Sequence, residues 1–119
     1  MIQCKRVYEQ AEKSDGKRIL VDRLWPRGIK KTDLQYDEWC KAIAPSADLR
    51  KAFHAETIDF ASFKKQYREE LSHAREDIQR LAQLSEKHTL TLLYAAKDTE
   101  RNHARVLAEY LRNYSDETG

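Results

Sequence analysis

A single α/β domain is the fold class this sequence predicts, with a small three- or four-stranded, largely parallel or mixed sheet flanked by helices. Three observations lead there. Apolar runs at 18–23 and 89–96 have the length and character of buried strands. Stretches 60–86 and 99–114 repeat their apolar residues at helical spacing. The two kinds of segment alternate along the chain, a pattern that layers helices on a sheet.

Taken in order, residues 2–8 (IQCKRVY) alternate loosely and read as a short strand, and Ser14-Asp15-Gly16 is a turn signal. Residues 18–23 form a second strand, apolar enough to be buried on both faces. The link between them is too short for a crossover helix, so the pair is either a hairpin or parallel with a tight loop. After Gly28 comes a basic loop, Lys30-Lys31-Thr32. Residues 33–43 are ambiguous: Thr32 and Gln35 fit a capping box, whereas Tyr36 to Ile43 can be extended, which predicts a helical turn followed by a short strand.

Pro45 ends that segment, and Ser46 is a good N-cap for a helix over 47–54, with Asp48 well placed for its dipole. Asp59 can cap the longest element, 60–86, where Phe60, Phe63, Tyr67, Leu71, Ala74, Ile78, Leu81 and Leu84 form one stripe. A coiled coil is the weaker reading of that stripe. Thr89 to Ala96 is the best strand, central by its apolarity. Asp98 then reads as the N-cap of a helix over 99–114, which carries His103 on its apolar stripe, and 115–119 reads as a frayed tail.

Composition sets limits. The 119 residues suit one domain, 1–119, and 40% hydrophobic with 35% charged residues is a soluble globular balance. There is no apolar run long enough to span a membrane, and the first ten residues lack the apolar core of a signal peptide, so a cytoplasmic protein without a membrane partner is expected. Cys4 and Cys40 form no CxxC pair and read as reduced core thiols. A net charge of +2 is too mild to announce nucleic acid.

Ligands in such folds sit beyond the carboxyl ends of the strands. Two such ends carry charge here, at Asp22–Arg27 and at Lys97–Asp98. Several motifs accompany them: VDRLWPRG, Ala44-Pro45-Ser46 with Leu49-Arg50, the run of Phe63, Tyr67, Glu70 and Leu71, TLLYAAKD, and Asn102 with Ala104. In this order they resemble the YeaO-like branch of the family called domain of unknown function 488, over about residues 5–112. The resemblance implies a small bacterial cytoplasmic α/β protein and no activity. Members often place Asp after the histidine that ends the short helix, whereas His54 here precedes Ala55, so no His–carboxylate dyad carries over. The resemblance favours Asn102 over His103 as the residue with a general role.

Arg23 and Arg27 can clamp a carboxylate or phosphate with paired hydrogen bonds, or pair with Asp22, Asp98 or a helix C-terminus. Trp25 can wall a pocket or plug its loop onto the core. Amides opening the last helix, with Lys97, can receive an anion unless Asp98 caps them. His103 and His54 are acid–base candidates beside Asp22, or a core and a surface histidine, while His73 and His88 read as surface residues. His54, His103, Asp22 and Asp98 share no metal-ligand spacing, and neither a metal nor a cofactor is expected. Ser46 is better explained as a cap than as a nucleophile.

Lys30, Lys31, Arg50, Lys51, Lys64 and Lys65 can form a basic patch, although acidic residues interleave along the long helix. The first functional expectation is therefore an anionic small molecule bound at the strand ends by Arg23, Trp25, Arg27, Lys97, Asp98 and Asn102. If catalytic, hydrolysis or transfer would use Asp22, His54 or His103. The second is a non-catalytic module for protein or nucleic acid, and a homodimer stays open. The third makes DRLWPRG purely structural, with Arg23 tied to Asp98 and Trp25 stapling its loop.

Overall fold

The computed structural model describes residues 1–118, with side chains as far as Tyr114. Its sheet has four strands, β1 (Ile2–Arg6), β2 (Lys17–Leu20), β3 (Glu38–Trp39) and β4 (Leu90–Tyr94), in the order β1-β4-β2-β3. Every pairing is parallel: Ile2 faces Leu90, Lys17 faces Leu90 from the other side, and Ile19 faces Glu38. β1 and β2 are therefore neither hairpin nor neighbours, because β4 lies between them. The most apolar strand takes the inside position, where both its edges are paired and all five of its residues are buried.

Side-chain alternation sends Ile19, Val21, Leu90, Leu92 and Tyr94 to one face. That face is covered by α2 (Phe60–Leu71), α3 (Arg75–Lys87) and α4 (His103–Thr118), whose buried residues include Phe63, Tyr67, Leu71, Ile78, Leu81, Leu107 and Leu111. The expected 60–86 helix is thus two helices. The apolar spacing continues across the break, from Leu71 to Ala74 to Ile78, and no Gly or Pro marks it. Locally, the Ser72 hydroxyl donates to the Glu69 carbonyl at 2.6 Å, while the amides of His73 and Ala74 close tighter, three-residue turns.

The other face has no helix. Leu20, Leu93 and Val7 are covered by the β2–β3 connection, through Trp25, Ile29, Leu34 and Trp39. The helical turn expected near residue 33 is absent; a hydrogen-bonded turn occupies 31–33, β3 shrinks to two residues, and a 3-10 turn follows at Lys41–Ile43. This stretch works as a lid held by its aromatic rings, and such tertiary packing overrides a local cap signal. α1 (Ala47–His54) starts at Ser46 as expected, its hydroxyl accepting from the Leu49 amide at 3.2 Å. α4 begins four residues later than expected and continues past 114, so the predicted tail coincides with helix as far as Thr118, and Gly119 lies outside the described residues.

The amino half of the open face carries a buried polar cluster around Asp15, which is 1% exposed. Its carboxylate accepts from Lys5 Nζ at 3.1 Å, Arg18 Nη1 at 2.5 Å, Gln3 Nε2 at 3.2 Å and the Glu12 amide at 3.0 Å. Gly16 follows with φ +63°, and a Cβ there would lie 2.3 Å from the Thr89 carbonyl oxygen, so only glycine fits the turn.

Burial alone would raise the Asp15 carboxyl, but the Glu12 amide, Lys5 and Arg18 outweigh it and hold it below the ordinary 3.8. A depressed folded-state value stabilises the fold above the unfolded value and loses that contribution as pH falls through the folded one. Asp15→Asn should therefore cost about 3 kcal/mol or more at neutral pH. The gap to wild type should narrow near roughly pH 3, as read by urea unfolding; a gap indifferent to pH would contradict this account.

Candidate functional site

β2 and β4 are neighbours whose chains leave the sheet in opposite directions. The chain after β2 turns onto the open face through the Trp25 loop, whereas the chain after β4 turns to the helical face and enters α4. The split opens a cleft between the two strand ends, the place where parallel sheets hold ligands. The resulting cavity has a volume of about 390 Å³.

Asp22 sits at the split. One carboxylate oxygen accepts from the Ala95 amide at 2.9 Å, and its carbonyl accepts from Trp39 Nε1 at 2.7 Å. The other oxygen lies 2.8 Å from His103 Nε2. Neither of those two atoms has an aligned hydrogen-bond partner among the described residues, so the contact is off the hydrogen-bonding axis. The His103 ring also meets Tyr67 edge-on, with centroids 6.4 Å apart. Burial pushes the Tyr67 hydroxyl well above its ordinary range, with Glu70 and Asp22 adding to the effect, so it stays neutral and donates to the Ile43 carbonyl at 2.5 Å.

The wall opposite in sequence is built on 43–46. Arg23 donates to the Pro45 carbonyl at 3.1 Å and the Ala44 carbonyl at 3.5 Å. Glu70 accepts from the Ser46 amide at 2.8 Å and its hydroxyl at 2.6 Å. With Tyr67 on Ile43, this short segment is held by three side chains, and it launches α1 so that Arg50, Phe53 and His54 reach the cavity. Phe53 stacks on Phe63 at 4.4 Å, giving that side an apolar lining.

α4 supplies the remaining side. Asp98 accepts from the amides of Glu100 and Arg101, both at 2.9 Å, which hold its carboxyl below the ordinary range. Asn102, 1% exposed, donates to the Asp98 carbonyl at 2.8 Å and accepts from the Arg105 amide at 3.0 Å. Asn102, not Asp98, is the cap of α4, and it sets His103 as the first helical residue. The lining of the cavity includes Arg23, Arg27, Arg50 and Arg101, against a single carboxylate, Asp22. None of the four arginines forms an ion pair among the described residues.

A family profile described as the "Inactive DUF488-N3 subclade" matches residues 1–119. The chain belongs to this DUF488 subclade. It is 62% identical to the uncharacterised protein YeaO of Escherichia coli K12, over 94% of this chain and 97% of that one. It is 40% identical to the uncharacterised protein Rv3073c of Mycobacterium tuberculosis H37Rv, over 92% of each chain. No solved structure matches it.

In this DUF488 domain, Asp22, Arg23, Trp25, Arg27, His54, Asn102 and His103 line the same cavity. Lys97 and Asp98 do not line it; both are exposed, and Asp98 is turned onto its own loop amides. Arg23 is tied to backbone carbonyls, not to Asp98. Trp25 holds its loop. Its indole donates to the Ile29 carbonyl at 2.6 Å and packs edge-on against Tyr36 and Trp39, and the residue also lines the cavity.

Arg101 and Phe53 are lining residues that sequence reasoning did not single out, whereas Arg50 appeared there in a motif with Leu49 and in a basic patch, and Phe63 in a motif and in the apolar stripe of 60–86. Helical spacing put Phe63 on a core stripe, and Phe63 also lines the cavity. Burial, with Asp77 and Glu38 nearby, pushes the Cys40 thiol up to about 11, which suits a core thiol. Among the described residues no group of three or more side chains is placed to hold a metal, and no helix is long and apolar enough to cross a membrane.

The two arginines of DRLWPR should separate cleanly in stability measurements. Arg23→Ala removes hydrogen bonds to two carbonyls and should cost about 1–3 kcal/mol. Arg27→Ala, at an exposed position, should stay within about 0.5 kcal/mol of wild type. Equal losses in denaturant melts would refute this division.

Proposed function

We propose that this DUF488 domain binds an anionic small molecule, bearing a phosphate or carboxylate group, in the cavity at the carboxyl ends of β2 and β4. The observation that carries the proposal is the charge of the lining. Four arginines share it with one carboxylate, and that carboxylate already accepts the Ala95 amide and touches His103. Positive charges gathered without counter-charges in a partly apolar hollow are stabilised by an anion that enters it. The whole chain carries only +2, so the concentration is local.

Phe53, Phe63, Trp25 and Pro45 give the cavity apolar walls. The ligand best suited to it therefore has a compact apolar or aromatic body beside its anionic group. Binding without turnover is the form of the proposal, in keeping with the description of the subclade as inactive. Asp22 and His103 then act as the polar floor that keeps the strand ends together. The apolar stripe that a protein-docking role for 60–84 would need lies in the core, at Phe63, Tyr67, Leu71, Ile78 and Leu81, and gives that alternative no support.

A thermal-shift and calorimetry series with inorganic phosphate, phenyl phosphate and benzoate tests the proposal. Phenyl phosphate or benzoate should stabilise the wild type more than inorganic phosphate does. Binding should weaken with added salt, since the attraction is electrostatic. Arg27→Ala/Arg101→Ala should weaken it about tenfold or more. A wild type indifferent to all three compounds would reject this function.

A further inference from the structure

We infer that Arg50 is the residue that grips the anion, through two hydrogen bonds from its guanidinium fork to one oxyanion group. The inference rests on the reading of the cavity as an anion site and assigns the contact within it. Its first support is what the other motif residues do. Ser46 caps α1 and is held by Glu70, Tyr67 holds the Ile43 carbonyl, and Arg23 holds the Ala44 and Pro45 carbonyls. Asn102 caps α4. Each has a structural partner that accounts for it.

Arg50 lies in the same segment and has none. Its amide donates to the Ser46 carbonyl in the ordinary helical way, but among the described residues its side chain has no carboxylate partner, and its Nε–H is buried without an acceptor. A buried charged donor with no acceptor carries a desolvation cost that nothing in the free protein offsets. Such a group persists in a well-packed wall when something that enters the cavity supplies the acceptor. A carboxylate or phosphate is the acceptor that matches the fork, because its two oxygens take two parallel N–H bonds.

Position supports the same assignment. Arg50 sits one turn along α1 from a start held by three side chains, beside the Phe53–Phe63 stack. A guanidinium so placed is presented by a rigid element next to an apolar surface, whereas Arg27 is exposed on a loop. Arg50 would thus grip the anion and Arg27 would add attraction at the mouth.

The experiment pairs binding with stability in wild type, Arg50→Met, Arg50→Lys and Arg27→Ala, using phenyl phosphate and benzoate as probes. Arg50→Met should leave the melting temperature of the free protein unchanged or raise it, and should weaken binding by about 10- to 100-fold. Arg50→Lys keeps the charge but loses the fork, and should bind more weakly than wild type and than Arg27→Ala. The tighter of the two probes names the anionic group.

Wild-type binding that survives Arg50→Met, or that Arg50→Lys matches, would overturn the Arg50 assignment and leave the cavity as an anion site. A wild type that binds neither probe would overturn both. Should the Met variant fail to fold, the Lys comparison decides alone.

Discussion

At the carboxyl end of the sheet, Asp22 joins elements that otherwise diverge. It takes the first free amide beyond β4, fixes the indole of β3, and touches the first residue of α4. A parallel sheet has no hairpin to hold its strand ends together, so adjacent ends that part company leave unsatisfied amides and a gap. One carboxylate closes the polar part of that gap. The hydrogen bond from Ala95 to a charged acceptor contributes about 1.5–3 kcal/mol, comparable to a core side chain, and the gap that remains is the cavity. Fold and candidate site therefore share one constraint: the geometry that makes a ligand cleft is the same geometry that requires Asp22.

Around that joint, the polar motif residues divide into builders and residues left over. Arg23, Ser46, Tyr67, Glu70, Asp98 and Asn102 satisfy backbone groups at places where chain direction changes, between β3 and α1 and between β4 and α4. Such groups cannot be supplied by regular secondary structure, since each lies in a connection. Arg27, Arg50 and Arg101 satisfy nothing of the kind. The distinction separates residues that make the cleft from residues that give it a charge, and it could be drawn only with the hydrogen bonds in view.

Much of this was legible in the sequence. Apolar runs located the two central strands, a serine located the start of α1, and charge at the ends of those strands located the cavity. What failed has identifiable causes. The break between α2 and α3 keeps the helical apolar period and contains neither Gly nor Pro, so periodicity cannot register it. Asp98 and Asn102 are both good capping residues four positions apart, and the choice between them depends on burial: Asn102 is enclosed, whereas Asp98 faces solvent. The turn near residue 33 was misread because Trp25, Ile29, Leu34 and Trp39 must cover Leu20 and Leu93, a demand set by the far side of the sheet. Arg50 was visible as a motif residue and as a member of a basic patch, but a linear charge pattern cannot tell which member of such a patch turns inward.

The asymmetry of the two faces explains why the charge collects where it does. The helical face buries large rings and aliphatics from α2, α3 and α4 and tolerates no unpaired charge. The open face buries its charges too, but in the paired cluster of Asp15, Lys5 and Arg18 at the amino end. Only the carboxyl end combines partial burial with several arginines and one carboxylate. Arg23 and Arg50 are half-buried there while Arg27 and Arg101 are exposed, and the charge interactions of the half-buried pair are less screened than in water. Arg80 on the surface stands beside Glu38 and Asp77, whereas Arg23 reaches backbone carbonyls and Arg27, Arg50 and Arg101 form no ion pair among the described residues. The cavity lining of this DUF488 domain sets four arginines against one carboxylate, Asp22, an imbalance that the Asp15 cluster at the other end of the sheet does not share.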